Sequence, residues 1–196
     1  MDEIKSALEI AMEKVEKIGE ATEEERLRWK YVPEGERLAA KYMQEDINLA
    51  AELSKFQGNV TDYVLRGIVE VLVRSIDLPK NDVARKNSKK AMEGIKAVKK
   101  DKVGVENILT NIRRIFSHYR EQGEQQRKQA YNSLKAPFEA KIQQAIKQQM
   151  GLPIGVKIDV EKQPQFQEEW RRMQSQLDSQ YLKLLSEYRQ ELLNTG

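Results

Sequence analysis

The sequence predicts an all-α protein, an N-terminal multi-helix bundle followed by a C-terminal antiparallel, coiled-coil-like helical hairpin. Three observations carry that prediction. Apolar residues recur every three or four positions along most of the 196-residue chain, the spacing of one helical face. The 10 glycines and 5 prolines fall mostly between those periodic segments. Charged residues reach 33% against 39% apolar, a balance suited to long helices with wide solvated faces.

Taken in order, the first helix covers residues 3–18, with Ile4, Leu8, Ala11, Val15 and Ile18 on one side and Gly19 as its stop. Thr22 and Glu25 form a capping box that opens a second, short helix through Leu27 and Trp29. Pro33 predicts its end, because proline pushes Val32 out of the helical region. A third helix, Arg37–Lys55, buries Leu38, Tyr42, Leu49, Leu53 and Phe56. Gly58-Asn59 then supplies turn chemistry. Val60–Ile76 is apolar around most of its circumference, which makes it the expected centre of the bundle. Asp77-Leu78-Pro79 closes that segment, and Asn81 or Asp82 caps a helix over Val83–Lys100.

After a break at 101–104, a helix begins at Val105 with Ile108, Ile112, Ile115 and Tyr119 inward. Residues 120–129 form a polar connecting stretch, read either as continuous helix or as a break at Gly123. The stripe resumes at Tyr131, Leu134, Phe138, Ile142 and Ile146, and Pro137 either starts a fresh helix or kinks the old one. Ile154, Val156, Ile158 and Val160 alternate with Gly155, Lys157 and Asp159, the pattern of one short isolated strand near 154–160. A packed loop is the favoured reading there, since no second strand pairs with it. In the last helix Phe166, Trp170, Met173 and Leu177 step by four, three and four. A second four-residue step to Tyr181 marks a stutter, and Leu184, Tyr188 and Leu192 continue the stripe. Its expected partner is the 134–146 stripe. The domains predicted are thus a bundle over 1–119 and a hairpin over 130–196.

Chemistry is constrained by what residues are present. With no cysteine, disulfides and thiolate-ligated metals are excluded. His118 is the single histidine, too few for a zinc or di-metal site, and reads as a helix-surface or interface residue. Glu9, Glu13, Glu16 and Glu20 interleave with Lys5, Lys14 and Lys17, a solvated face rather than a cation site. Phosphate-cradling and nucleophile motifs are absent from the sequence. No catalytic residue, metal ligand or cofactor is therefore assigned, and an enzyme is not expected. The opening Met1-Asp2-Glu3 lacks the basic and apolar start of a secretory signal. The most apolar stretch is interrupted by Asp62, Arg66, Glu70, Arg74 and Asp77, so no membrane span is predicted and the cytoplasm is the expected compartment.

Charge is polarised along the chain. Residues 1–79 carry 11 basic and 17 acidic side chains, and 80–135 carry 15 and 6. Within that middle, Lys86, Lys89, Lys90, Lys96, Arg113 and Arg114 form a candidate polyanion strip. Trp29, Tyr31 and Tyr42 make an aromatic patch that either recognises a ligand or staples a helix corner. On the last helix, Phe166, Trp170, Met173, Leu177, Tyr181, Leu184 and Tyr188 form the candidate interface, because a two-helix hairpin buries little alone. The function expected is non-catalytic assembly or adaptor work, with a protein partner or a second copy of the chain. Nucleic-acid association through 85–114 is the alternative. A small-molecule binder or orphan enzyme with its pocket in the N-terminal bundle is the third.

Overall fold

The computed structural model describes residues 21–150 and 159–196, apart from the side chains at 146, 147, 149 and 150. The described residues are all-α, without a strand. The helices are α1 (Glu23–Gln44), α2 (Leu49–Leu53), α3 (Asn59–Arg74), α4 (Asp82–Val98), α5 (Lys102–Met150) and α6 (Pro164–Asn194). A 3-10 turn, Val160–Lys162, precedes α6. The predicted first helix lies outside the described residues, as does nearly all of the 154–160 segment; Val160 itself opens the 3-10 turn. No described helix is long and apolar enough to cross a membrane.

The chain divides into two compact units. One holds residues up to Ser75 together with Lys90–Lys100, the other Ile76–Lys89 together with Asp101–Gly196. The connecting stretch 120–129 takes the continuous-helix alternative, as an uninterrupted part of α5.

In the first unit, the capping box forms as read: Thr22 accepts from the Glu25 amide at 3.2 Å, and Glu25 accepts from the Thr22 amide at 2.9 Å. The helix that follows does not break at Pro33 but runs through it to Gln44. The reason is tertiary. Gly35 and Gly67 bring α1 and α3 together so closely that a Cβ on Gly35 would strike the Val64 carbonyl, and one on Gly67 the Val32 carbonyl. That packing holds residues 32–36 helical against the local preference of an X-Pro step. The carbonyl that Pro33 leaves without its helical donor belongs to Trp29, a residue that is 54% exposed. The predicted Arg37–Lys55 helix is two helices instead. Asn48 caps the second, its Oδ1 accepting from the Ala51 amide at 3.1 Å, and this local bond competes successfully with helix continuation. Val64, Ile68, Val69, Leu72 and Val73 of α3 are buried as expected, with Leu49, Leu53, Ala91, Met92 and Ile95.

In the second unit, α5 passes unbroken through Gly123 and Pro137 for 49 residues. Asp101 caps it, accepting from the Gly104 amide at 2.9 Å. Its partner α6 runs antiparallel: the Asp101 amide meets the Gly196 carbonyl, Tyr119 meets Asp178, and Tyr131 meets Trp170. The 134–146 stripe is thus only the far end of the partner surface. Most of α6 lies on 101–131, because the chain re-enters at Phe166 against Tyr131 and Phe138. The stripe on α6 also needs one correction. Leu185 is fully buried while Leu184 is 45% exposed, because the buried positions 178, 181, 185 and 192 fall on one face and residue 184 lies off it.

Candidate functional site: a cationic groove in the second unit

A groove of about 570 Å³ opens in the second unit. Its walls are Tyr119, Arg120, Glu124 and Arg127 from α5 and Arg171, Gln174, Ser175, Asp178 and Leu182 from α6, with Pro79 and Lys80 from the connector before α4. Residues 120, 124 and 127 step by four and three, so one face of α5 supplies them all. Four cationic side chains therefore face two carboxylates.

Lys80 is held by a built corner. Ile76 and Leu78 are fully buried, and the Ser88 hydroxyl accepts from the Asp77 amide while donating to the Asp77 carbonyl, each at 2.9 Å. The Arg189 guanidinium donates to the Ile76 carbonyl. Fixed in this way, Lys80 places its Nζ 2.7 Å from Asp178 Oδ2.

Asp178 is the groove's buried polar centre. Its Oδ1 accepts from the Tyr119 hydroxyl at 3.0 Å and lies 3.9 Å from Arg127 Nη1. Arg127 is itself positioned, donating from Nη2 to the Tyr119 carbonyl at 3.3 Å, with its Cζ 4.3 Å from the Tyr119 ring centre. Burial, and then the Asp178 charge, push the Tyr119 phenol up to about 12, although Arg127 opposes them. Tyr119 is consequently a fixed hydrogen-bond donor at neutral pH. Tyr181 packs edge-on to Tyr119 at 5.1 Å and shares a 2.9 Å hydrogen bond with His118 Nδ1, so the lone histidine is an inter-helix contact. A Cβ at Gly123 would come within 3.1 Å of Arg127 Nη1 and 3.3 Å of Tyr181 Oη, so glycine leaves these groups their room.

Arg120 and Arg171 are exposed, and among the described residues no carboxylate forms an ion pair with either. Arg171 donates from Nε to the Gln167 carbonyl at 3.2 Å, which leaves its terminal nitrogens facing the groove's solvent. Chemically, this arrangement can hold an anion: each helix wall carries one open guanidinium group, Arg120 on α5 and Arg171 on α6, around the fixed donors Lys80, Tyr119 and Arg127. No group of three or more His, Asp or Glu side chains among the described residues is placed to hold a metal ion.

The residues singled out from sequence are distributed differently. Phe166 and Tyr181 are buried against rings of α5, and Trp170 packs on Tyr131 at 5.1 Å. Met173, Leu177 and Tyr188 are half-buried. Of the basic strip, Lys86, Lys89, Arg113 and Arg114 are exposed in the second unit, where Arg113 pairs with Glu106 at 2.7 Å. Lys90 and Lys96 belong to the first unit. There Lys90 donates to the Glu45 carbonyl at 2.9 Å and lies 5.3 Å from the centre of the Tyr42 ring, while Tyr42 donates back to the Lys90 carbonyl at 3.1 Å. Tyr42 is thus a corner staple. Trp29 stands 54% exposed, and Lys30 rests over Tyr31.

Lys80, Tyr119, Arg127, Arg171 and Asp178 were not singled out. A signal existed for two parts of the groove: Asp178 interrupts an apolar stripe, and Arg120, Glu124 and Arg127 share a helical face inside the stretch read as a connector.

No curated protein matches the chain, and no solved structure does. A family of unknown function, DUF6657, matches residues 50–194, a span that contains every residue of the groove. Because that match covers most of its length, the chain belongs to the DUF6657 family.

Proposed function

We propose that this protein is a non-catalytic, cytoplasmic helical adaptor that engages an anionic partner through the groove of its second unit. The observation that supports this reading is the charge of the groove wall. Lys80, Arg120, Arg127 and Arg171 face Glu124 and Asp178, and Asp178 is already engaged by Lys80 and Tyr119. Cationic groups on a concave surface raise the local concentration of anions and steer their approach. The test is a salt titration of binding to labelled poly-L-glutamate by fluorescence anisotropy. Charge reversal at Arg120 and Arg171 should remove the binding, and unchanged binding by that variant would refute the assignment of the groove.

Nucleic-acid association is the second reading, supported by the exposure of Lys86, Lys89, Arg113 and Arg114 within one unit. A labelled single-stranded oligonucleotide separates the two. Its binding should depend on those four residues, and poly-L-glutamate binding should not.

A further inference from the structure

Resting on the groove as the binding site, we infer that its occupant is an acidic helical segment of a partner protein, with carboxylates repeated along one face. Asp178 shows how the groove treats a carboxylate. One oxygen takes a lysine ammonium at 2.7 Å, the other takes the Tyr119 hydroxyl at 3.0 Å, and the Arg127 guanidinium stands 3.9 Å away. A ligand carboxylate meets guanidinium groups instead, at Arg120 and Arg171, which are exposed and whose planar forks suit bidentate capture.

The groove offers a poor cradle for a compact phosphate. All its lining residues except Pro79 and Lys80 lie within α5 and α6, where backbone N–H groups are committed to the helices. Phosphate sites characteristically use free N–H groups at helix N-termini or in turn-built nests. Here the donors are side chains distributed along two helix walls. Arg120 and Arg127 are seven residues apart, about 10 Å at 1.5 Å per residue. Arg127 is turned toward Tyr119 and Asp178, so glutamates at i and i+7 on a ligand helix set one carboxylate at Arg120 and the next within the positive field of Arg127. A helix is about 10–12 Å across with its side chains, so the ligand lies along the mouth and inserts only side chains into the 570 Å³ groove. Leu182, 37% exposed, and Pro79 give the ligand's stems an apolar footing.

The test uses the full chain and a fluorescein-labelled, alanine-rich helical peptide with glutamates at i, i+3 and i+7. Two controls accompany it: the same peptide with glutamines, and one of equal charge with three consecutive glutamates. The expected result is saturable anisotropy, at least tenfold weaker for both controls and for R120A/R171A, and unchanged for K86A/K89A. Thermal melts confirm that both variants fold, since all four positions are exposed. Equal binding of the consecutive-glutamate peptide would overturn the helical spacing. Displacement by inorganic phosphate or by a single-stranded oligonucleotide, at concentrations below those of the free glutamate peptide, would overturn the partner class and leave the groove as an anion site. No binding of any probe would overturn both.

Discussion

Tyr119 donates its phenolic hydrogen to the Asp178 carboxylate at 3.0 Å, tying α5 to α6 across 59 residues of sequence inside the seam of the helix pair. Both residues are largely buried, so water competes little with the bond. It also fixes the carboxylate that Lys80 and Arg127 approach.

Replacing Tyr119 with Phe leaves Asp178 Oδ1 without that donor, and the expected cost is about 1–3 kcal/mol. Urea denaturation followed by circular dichroism measures it. A loss below about 0.5 kcal/mol would show that Lys80 and Arg127 alone suffice to hold the carboxylate.

The same phenol gives a pH dependence of known sign. Its pKa rises from 10.0 to about 12 on folding, so between those values the unfolded chain binds fewer protons than the folded one. Stability from this group is therefore complete below pH 10 and is lost as pH rises through 12. The stability difference between the native protein and Y119F should shrink from pH 9 to pH 12. A difference independent of pH over that range would contradict the assignment.

The crossing of α1 and α3 permits no side chain at its two glycines. Gly35→Ala and Gly67→Ala each set a methyl against backbone carbonyl oxygen, Val64 and Val32 respectively, which cannot rotate aside. Each substitution should cost about 1–3 kcal/mol or more. Gly58→Ala tests something different, since a Cβ there meets nothing within 4 Å but the backbone is at φ +60. Gly58→Ala should destabilise through backbone strain alone, whereas retained stability in the Gly35 and Gly67 variants would mean that the helices do not approach as described.

Leu184 and Leu185 separate the inner face of α6 from the outer. Leu185→Ala should destabilise by about 2–5 kcal/mol, and Leu184→Ala by less than about 0.5. A reversed order would restore the stripe first read from sequence and place the helix in a different rotation.

The all-α class, the Thr22 cap, the buried face of α3 and the antiparallel return of α6 were legible because each is written in local spacing. Where the structure departed, a distant contact decided. Pro33 remains helical because Gly35 and Gly67 meet, a pairing no window of sequence displays. The α6 register moved onto 101–131 because α5 continues through Gly123 and Pro137, two residues that locally favour a break. The groove was hardest to see. Its residues come from positions 79 to 182, and only folding brings Lys80, Tyr119 and Asp178 within hydrogen-bonding reach.

An amide chemical-shift titration of isotopically labelled full-length protein with the helical glutamate peptide tests the groove most directly. Saturable shifts should concentrate at residues 79–80, 119–128 and 171–182, and should vanish in R120A/R171A. Shifts confined to 85–114, or a groove unmoved at millimolar peptide, would contradict an anionic partner bound between α5 and α6.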